Sequence, residues 1–324
     1  MTNTEQVPAA ESCFGEDGQW AWDSVSLGAY MTCPIYYRYK IVEGWGTREL
    51  SVHLKFGQLY ASALEHYFKH LVNGLGEGDA LREVVRELLV ETWEYGYATP
   101  ADAEAKRNPL PGTGHPWQSG HTSKTRENLV RTVVWYFDQF KDDPCSVVIL
   151  EDGKPAVELS FRLEIDPGLL WCGHIDRLVE YGGEKYVMDQ KTTTGTIGTY
   201  WFNQWETESQ FLGYTLAGQI IYDLPLKGVI VDAAQIAVGF SRFERGFIHY
   251  TAAQLEEWLD HSLAYIARAQ SDFQSGEWLM NRKSCNNYGG CPFRRVCATD
   301  PALRDRFMRA EYVQGPGWNP LESR

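Results

Sequence analysis

Apolar residues recur at helical spacing along the first part of the chain. A helix is expected from about Ser26 to Lys40, a second opens at Lys55 in KFGQLYASALEHYFKHL, and others cover Ala80 to Tyr95 and Lys124 to Phe140. From Ser146 the texture changes. SVVILE, AVELSFRLEI, LWCGHIDRLVEY and KYVMDQKT are short, rich in β-branched and aromatic residues, and separated by Asp-Gly, Pro-Gly and Gly-Gly turns, which predicts a meander of strands. A helix at about Glu206 to Ile221, strands at Gly228 to Gly239 and Arg242 to Tyr250, and a long helix from Ala252 to Gln274 follow. This order makes an α/β protein, a mixed sheet flanked by helices. GLGEGD at 74–79 is a loop between helical patterns, and the Gly- and Pro-rich chain after Tyr312 is expected to be a loosely held terminus. No internal repeat is present.

Composition narrows the class. The 324 residues suffice for one large domain or two ordinary ones. With 44% hydrophobic and 23% charged residues the chain is globular rather than disordered or fibrous. Its 43 acidic and 30 basic residues leave a net charge of −13. That excludes a surface coated in positive charge for unspecific nucleic-acid binding but leaves room for a local basic groove. No apolar run approaches the ~18 residues needed to cross a bilayer, and MTNTEQVPAAES has no basic or apolar leader segment. A soluble, cytoplasmic protein without a membrane partner is expected. Seven cysteines, an odd number with no exported context, argue against a disulfide framework and raise the question of metal or cluster ligation. There is no GxxxxGK(S/T) loop, no HExxH and no GxSxG elbow.

The most informative stretch is GHIDRLVEYGGEKYVMDQKTTT, where Asp176 lies on one expected strand and Asp189 and Lys191 on the next. Residues i and i+2 of a strand share a face, so Asp189 and Lys191 project together while Gln190 points away. Two neighbouring carboxylates repel, and a divalent cation relieves that repulsion while lowering the pKa of a bound water. An ammonium beside them can stabilise charge growing on a phosphate. A lone DxK more often marks a solvated ion pair. Here Tyr186, Val187 and Met188 bury the strand and a second Asp sits on its hairpin partner.

With these residues the chain resembles the PD-(D/E)XK nuclease superfamily, in the RecB-like and phage exonuclease branch that includes the CRISPR-associated RecB-like exonucleases. Asp176 in GHIDRL matches the GxxD metal ligand, and Asp189 and Lys191 match the acidic residue and lysine of (D/E)xK. Gln210 and Tyr214 in QFLGY match the QxxxY motif, on one helix face at i and i+4. The resemblance implies an αβββαβ core and Mg²⁺ or Mn²⁺ held by Asp176, Asp189 and the Gln190 carbonyl. One position departs: counted from Gly57, the family's metal-binding histidine falls on Ala61. Glu65, one turn on, is the best local substitute and His66 the second. His66 and His70 also suit a metal by spacing, though an amphipathic helix edge is the commoner meaning. Glu158 in AVELSF is a further candidate carboxylate for the same cleft, though a strand glutamate is more often solvated.

A second constellation is CNNYGGCPFRRVC, where Cys285, Cys291 and Cys297 are separated by five-residue gaps. Four ligands are usual for zinc or an iron-sulfur cluster, and spacing does not separate the two. Cys33 in YMTCPIYYRYK resembles the N-terminal cysteine of the same branch, whose members staple the two ends of the chain through a 4Fe-4S cluster. The resemblance therefore implies a cluster on Cys33, Cys285, Cys291 and Cys297, with zinc as the alternative. Cys172, beside Trp171, reads as core; Cys13 and Cys145 carry no signal.

Between Asn281 and Ala310 the basic residues Arg282, Lys283, Arg294, Arg295, Arg304, Arg306 and Arg309 face only Asp300 and Asp305, which suits a phosphate-binding rim. Arg294 and Arg295 are its candidates, and Trp201 and Trp205 in YWFNQWE are candidates for stacking on unpaired bases. The expected organisation is an extension (1–25), a single nuclease domain (26–310) with a helical insertion at about 71–140 and a Cys-rich segment at 282–298, and a tail (311–324). The reading is a metal-dependent DNA nuclease, an exonuclease acting on DNA ends or single strands in recombination or repair, with phage or mobile-element origin implied by resemblance alone. Its rivals are a non-catalytic DNA-binding subunit, which Ala61 favours, and a zinc protein with an incidental DxK.

Overall fold

The computed structural model describes residues 20–48, 51–99, 102, 106, 107 and 109–322. Cys13 and most of the expected 1–25 extension lie outside them. Strand β1 (Trp20–Trp22) leads into α1 (Ser24–Thr32), whose start is fixed by a capping box between Asp23 and Ser26. The helix expected over Ser26–Lys40 is broken at Cys33, which is extended at φ −171° because a residue before proline avoids the helical region. Cys33 thus ends α1 and opens α2 (Pro34–Tyr37), which continues as a π turn over Arg38–Val42 before β2 (Trp45–Gly46). Then come α3 (Val52–Val72), α4 (Glu77–Glu91), the short pair β3 (Trp93–Glu94) and β4 (His115–Pro116), and α5 (Arg126–Gln139). The expected strand SVVILE pairs only as β5 (Ser146–Val147), followed by β6 (Val157–Asp166), β7 (Leu169–Tyr181) and β8 (Glu184–Thr193). The remainder is α6 (Thr199–Asn203), α7 (Ser209–Tyr222), β9 (Leu226–Ile236), β10 (Ser241–His249), α8 (Ala252–Ser275), a 3-10 stretch at Arg282–Gly289, α9 (Arg294–Ala298), α10 (Arg304–Glu311) and β11 (Val313–Gln314).

The mixed sheet runs β1-β7-β8-β9-β10, with β5 and β6 also paired to β7. β1 runs parallel to β7 and β9 parallel to β8; the pairs β6–β7, β7–β8 and β9–β10 are antiparallel. Along one edge of β7, β1 covers only Leu169–Trp171 and β8 only Arg177–Tyr181. Between them the edge has no strand partner, and β8 beyond Met188 pairs only with β9. The sheet therefore forks at Asp176.

Each face carries a helical layer. Val187, Val229 and Val231 pack with Leu27, Phe211, Ala217 and Trp258 under α1, α7 and α8. On the opposite face Ala234 and Ile236 pack with residues of α3, α4 and α5, so the segment 71–140 joins α3 in forming the second layer. A smaller cluster around Cys33, Phe293, Val296 and Met308 joins the C-terminal helices to the first turns of the chain. The tail is not loosely held. β11 pairs with β2, the Trp318 indole donates to Asp23 Oδ2 at 2.7 Å, and Arg162 donates to the Leu321 carbonyl at 2.9 Å. An indole with a buried carboxylate partner anchors what composition alone marked as a terminus. Among the described residues no helix is long and apolar enough to cross a membrane.

Candidate active site

Asp189 and Lys191 leave β8 toward α7, on the face that Val187 shares with the larger core. Asp189 is buried, and its Oδ2 has the Lys191 ammonium against it as an ion pair, yet receives no well-directed hydrogen bond. Asp176 reaches across the fork and accepts the Gln190 main-chain N–H on Oδ2 at 3.1 Å, taking a donor for which the sheet has no strand partner. Burial first, and the neighbouring Asp189 charge second, raise the Asp176 carboxyl to about 7. With its side-chain amide turned so that the nitrogen faces Asp176, Gln190 donates to Asp176 Oδ2 at 3.1 Å and accepts from Arg177 Nη2 and Nε at 2.5 and 3.2 Å.

The lysine is held from the helix side. Lys191 Nζ donates to Gln210 Oε1 at 3.2 Å, and Gln210 Nε2 donates to the Tyr214 hydroxyl at 3.0 Å. The ammonium lies 5.5 Å from the Trp205 ring centroid and 5.3 Å from that of Phe211, so Trp205 serves as a cation–π wall for the lysine. Burial, the largest influence on Tyr214, pushes its hydroxyl well above the ordinary phenol range. Two glycines admit this contact. A Cβ at Gly213 would stand 2.8 Å from the Trp171 indole, and one at Gly173 would stand 2.7 Å from the Phe161 and Tyr214 rings. Their absence lets α7 settle onto β7 closely enough for Gln210 to reach Lys191.

Asp176, Asp189, Gln190, Lys191, Gln210 and Tyr214 are therefore one connected site. Glu65 is not joined to it by any hydrogen bond or ion pair among the described residues; it pairs with Lys69 one turn along α3. His66 and His70 both pair with Glu87 of α4, at 2.9 and 3.1 Å, and hold two helices together rather than a metal. Glu158 lies opposite Asp176 by the flanking pairs Val157–Arg177 and Leu159–Ile175, in a left-handed conformation at φ +50°. Trp201 packs edge-on against Trp205 at 5.5 Å, beside the fully exposed Tyr200.

At the other end of the molecule Cys33, Cys285, Cys291 and Cys297 line one cavity of about 290 Å³, with Arg294 at its wall. Burial first, then the charges of Cys291, Cys33 and Cys285, push the Cys297 thiol up to about 11. Cys172 is buried core, as expected. Arg295 is tied to Glu311 at 3.5 Å and Arg294 donates to Asn286 at 3.0 Å. Among the described residues no group of three or more His, Cys, Asp or Glu side chains is arranged to hold a metal ion.

Behind the fork is a charge network with no counterpart in the sequence reading. Arg177 and Arg245 meet Asp232, each at 3.4 Å, and Arg245 pairs with Asp143 at 2.5 Å. The Tyr136 hydroxyl donates to Asp232 and accepts from Arg177 at 3.2 Å. Lys124, buried at the head of α5, donates to Thr192 Oγ1 at 3.3 Å, one residue past Lys191. Arg177 offered a sequence signal, a charge amid a buried strand; Lys124 offered none, since its burial arises from packing between distant elements.

No protein of curated function matches the chain. Among solved structures, a "Putative exonuclease" from Eubacterium rectale matches with 13% identity and a TM-score of 0.47, covering 93% of this chain and 98% of that one. A family model described as the PD-(D/E)XK nuclease superfamily matches residues 24–298, a span that contains the whole fork, its bracing helix and the C-terminal cysteines. The chain belongs to the PD-(D/E)XK nuclease superfamily.

Proposed function

We propose that the protein is a metal-dependent deoxyribonuclease, an exonuclease that hydrolyses phosphodiester bonds at DNA ends or in single strands, with Asp176, Asp189 and the Gln190 carbonyl as ligands for Mg²⁺ or Mn²⁺. The observation that carries this reading is the pair of aspartates converging on the fork, one with a buried oxygen that no hydrogen bond satisfies and one whose charge the other disfavours. One ammonium, that of Lys191 on Asp189, does not neutralise two converging carboxylates, and a divalent cation would relieve their repulsion. A bound divalent ion supplies Lewis acidity and a water of lowered pKa. Lys191, fixed by Gln210 and the aromatic wall of Trp205 and Phe211, is placed to steady negative charge growing on the phosphate. Tyr214 keeps Gln210 in the orientation that presents Oε1 to the lysine. Ala61, where the resemblance calls for histidine, and Glu65, held by Lys69, favour the second reading of a DNA-binding subunit that does not cut.

The cysteine cavity gathers the four residues for which the resemblance implies a 4Fe-4S cluster, with zinc as the alternative; four thiolates suit either centre.

The test is cleavage of end-labelled DNA with Mg²⁺ or Mn²⁺ by anaerobically purified wild type, Lys191→Ala and Asp189→Asn. Metal-dependent cutting that falls by about 10²-fold or more in both variants is the expected result. Equal cutting by all three proteins, or a wild type that binds DNA and leaves it intact, would overturn the catalytic reading.

A further inference from the structure

Lys124 stands just before α5, on the face of β8 opposite to Lys191. Its side chain is 2% exposed. An ammonium has three N–H donors to satisfy, and this one makes a hydrogen bond to Thr192 Oγ1 at 3.3 Å while Nζ lies 5.2 Å from the Phe56 ring centroid. Among the described residues no carboxylate pairs with it; Glu94 of β3 is taken by Lys55 at 2.8 Å. In a chain with 43 acidic residues, a buried ammonium left without a counter-charge is a costly arrangement. Desolvation accordingly brings Lys124 down to about 8.

Two histidines share its surroundings. The rings of His53, in the first turn of α3, and His121 lie 5.1 Å apart. His53 is held below its ordinary range by burial and then by the charges of Lys124 and His121, which puts the three basic groups within electrostatic reach of one another. His121 Nδ1 accepts the main-chain N–H groups of Ser123 and Lys124, at 3.1 and 3.0 Å, so its ring proton resides on Nε2 as a donor. The positive end of the α5 dipole lies beside them, capped by Thr125. Between positions 106 and 131 the charged residues are Lys106, Arg107, Lys124, Arg126 and Arg131 against Glu127 alone.

We propose that Lys124, His121 and His53 form a phosphate-binding site that seats a second phosphate of the substrate strand where the strand crosses the end of β8. The missing counter-charge of Lys124 is then supplied by the substrate. That a nucleic acid carries this phosphate rests on the nuclease reading above; the anion site itself does not.

The test is binding of a labelled single-stranded oligonucleotide in EDTA over a range of salt concentrations, with wild type, Lys124→Met and His53→Asp, each checked by thermal melting. Loss of one phosphate contact lowers the slope of log K against log salt by about 0.7. Lys124→Met is expected to show that drop together with a raised KM. His53→Asp, which sets a carboxylate beside the ammonium from an exposed position, is expected to show the same loss, and it decides the matter if Lys124→Met does not fold. A loss confined to 5′-phosphorylated oligonucleotide assigns the site to a terminal phosphate, and a loss shared by 5′-hydroxyl oligonucleotide assigns it to an internal phosphodiester. Wild-type slopes in both folded variants would overturn the proposal even if the protein cuts DNA. A lowered slope with a wild type that never cuts would uphold the site and remove the hydrolase reading instead.

Discussion

Asp176 is raised because burial and Asp189 both disfavour its charge, so the folded chain binds a proton that the unfolded chain releases near its ordinary value of 3.8. The folded state therefore holds more protons than the unfolded state between about pH 4 and about 7, and stability from this group is lost as pH rises across that window. In metal-free buffer, the melting temperature of wild type should fall relative to Asp176→Asn over this range. Mg²⁺ should return the difference at neutral pH with release of a proton. A metal-free wild type that tracks the variant at every pH would remove the raised carboxyl from the account. At this scale the site was legible. Asp189 with Lys191, and Gln210 with Tyr214, are paired by backbone periods of two and of about four, which a sequence displays directly. Lys124 was not, because nothing within a few residues of it records that Phe56 and Thr192 close over its ammonium.

The fork belongs to the scale of elements. It exists because β1 and β8 share an edge of β7 without meeting, and that edge is set by a parallel pair, Trp22 with Trp171, which no local pattern announces. The meander and the bracing helix were readable from period and turn chemistry, and the αβββαβ order was implied by the resemblance. The break at Cys33 was missed although Pro34 stood next to it, since the apolar spacing of Ser26–Lys40 runs through the interruption. Behind the fork, Asp232 is the one carboxylate among the described residues that pairs with both Arg177 and Arg245, and its side chain is 1% exposed. Asp232→Ala would leave two guanidinium groups buried near one another with Asp143 as their remaining acid, at a cost of about 3–5 kcal/mol. Urea unfolding measures this directly, and a loss below about 1 kcal/mol would mean that water reaches the network.

Across the whole molecule, chemistry and closure sit at separate places. The catalytic candidates lie mid-sheet, while Cys33 and the three C-terminal cysteines meet around their own cavity, with the Asn281 N–H reaching Cys33 Sγ at 3.2 Å. If joining these segments contributes about 3 kcal/mol, as cross-links over long loops do, Cys33→Ser should lose its iron and acid-labile sulfide and melt about 5–10 °C lower. A variant that keeps its iron, or a wild type holding zinc and no colour, would refute the cluster.

The pinning of Trp318 to Asp23 sets a clock as well as a contact. The two residues are 295 positions apart, and at synthesis rates of about 5–20 residues per second α1 waits roughly 15–60 s for the indole that meets the second oxygen of its N-cap carboxylate. Until then α1, Cys33 and β2 lack the partners that the C-terminal segment supplies, and an incompletely packed backbone is what proteases cut. Among the described residues, the turns around α1, Cys33 and β2 are thus the part that waits longest for its partners, and the part that reports whether the C-terminal segment has arrived.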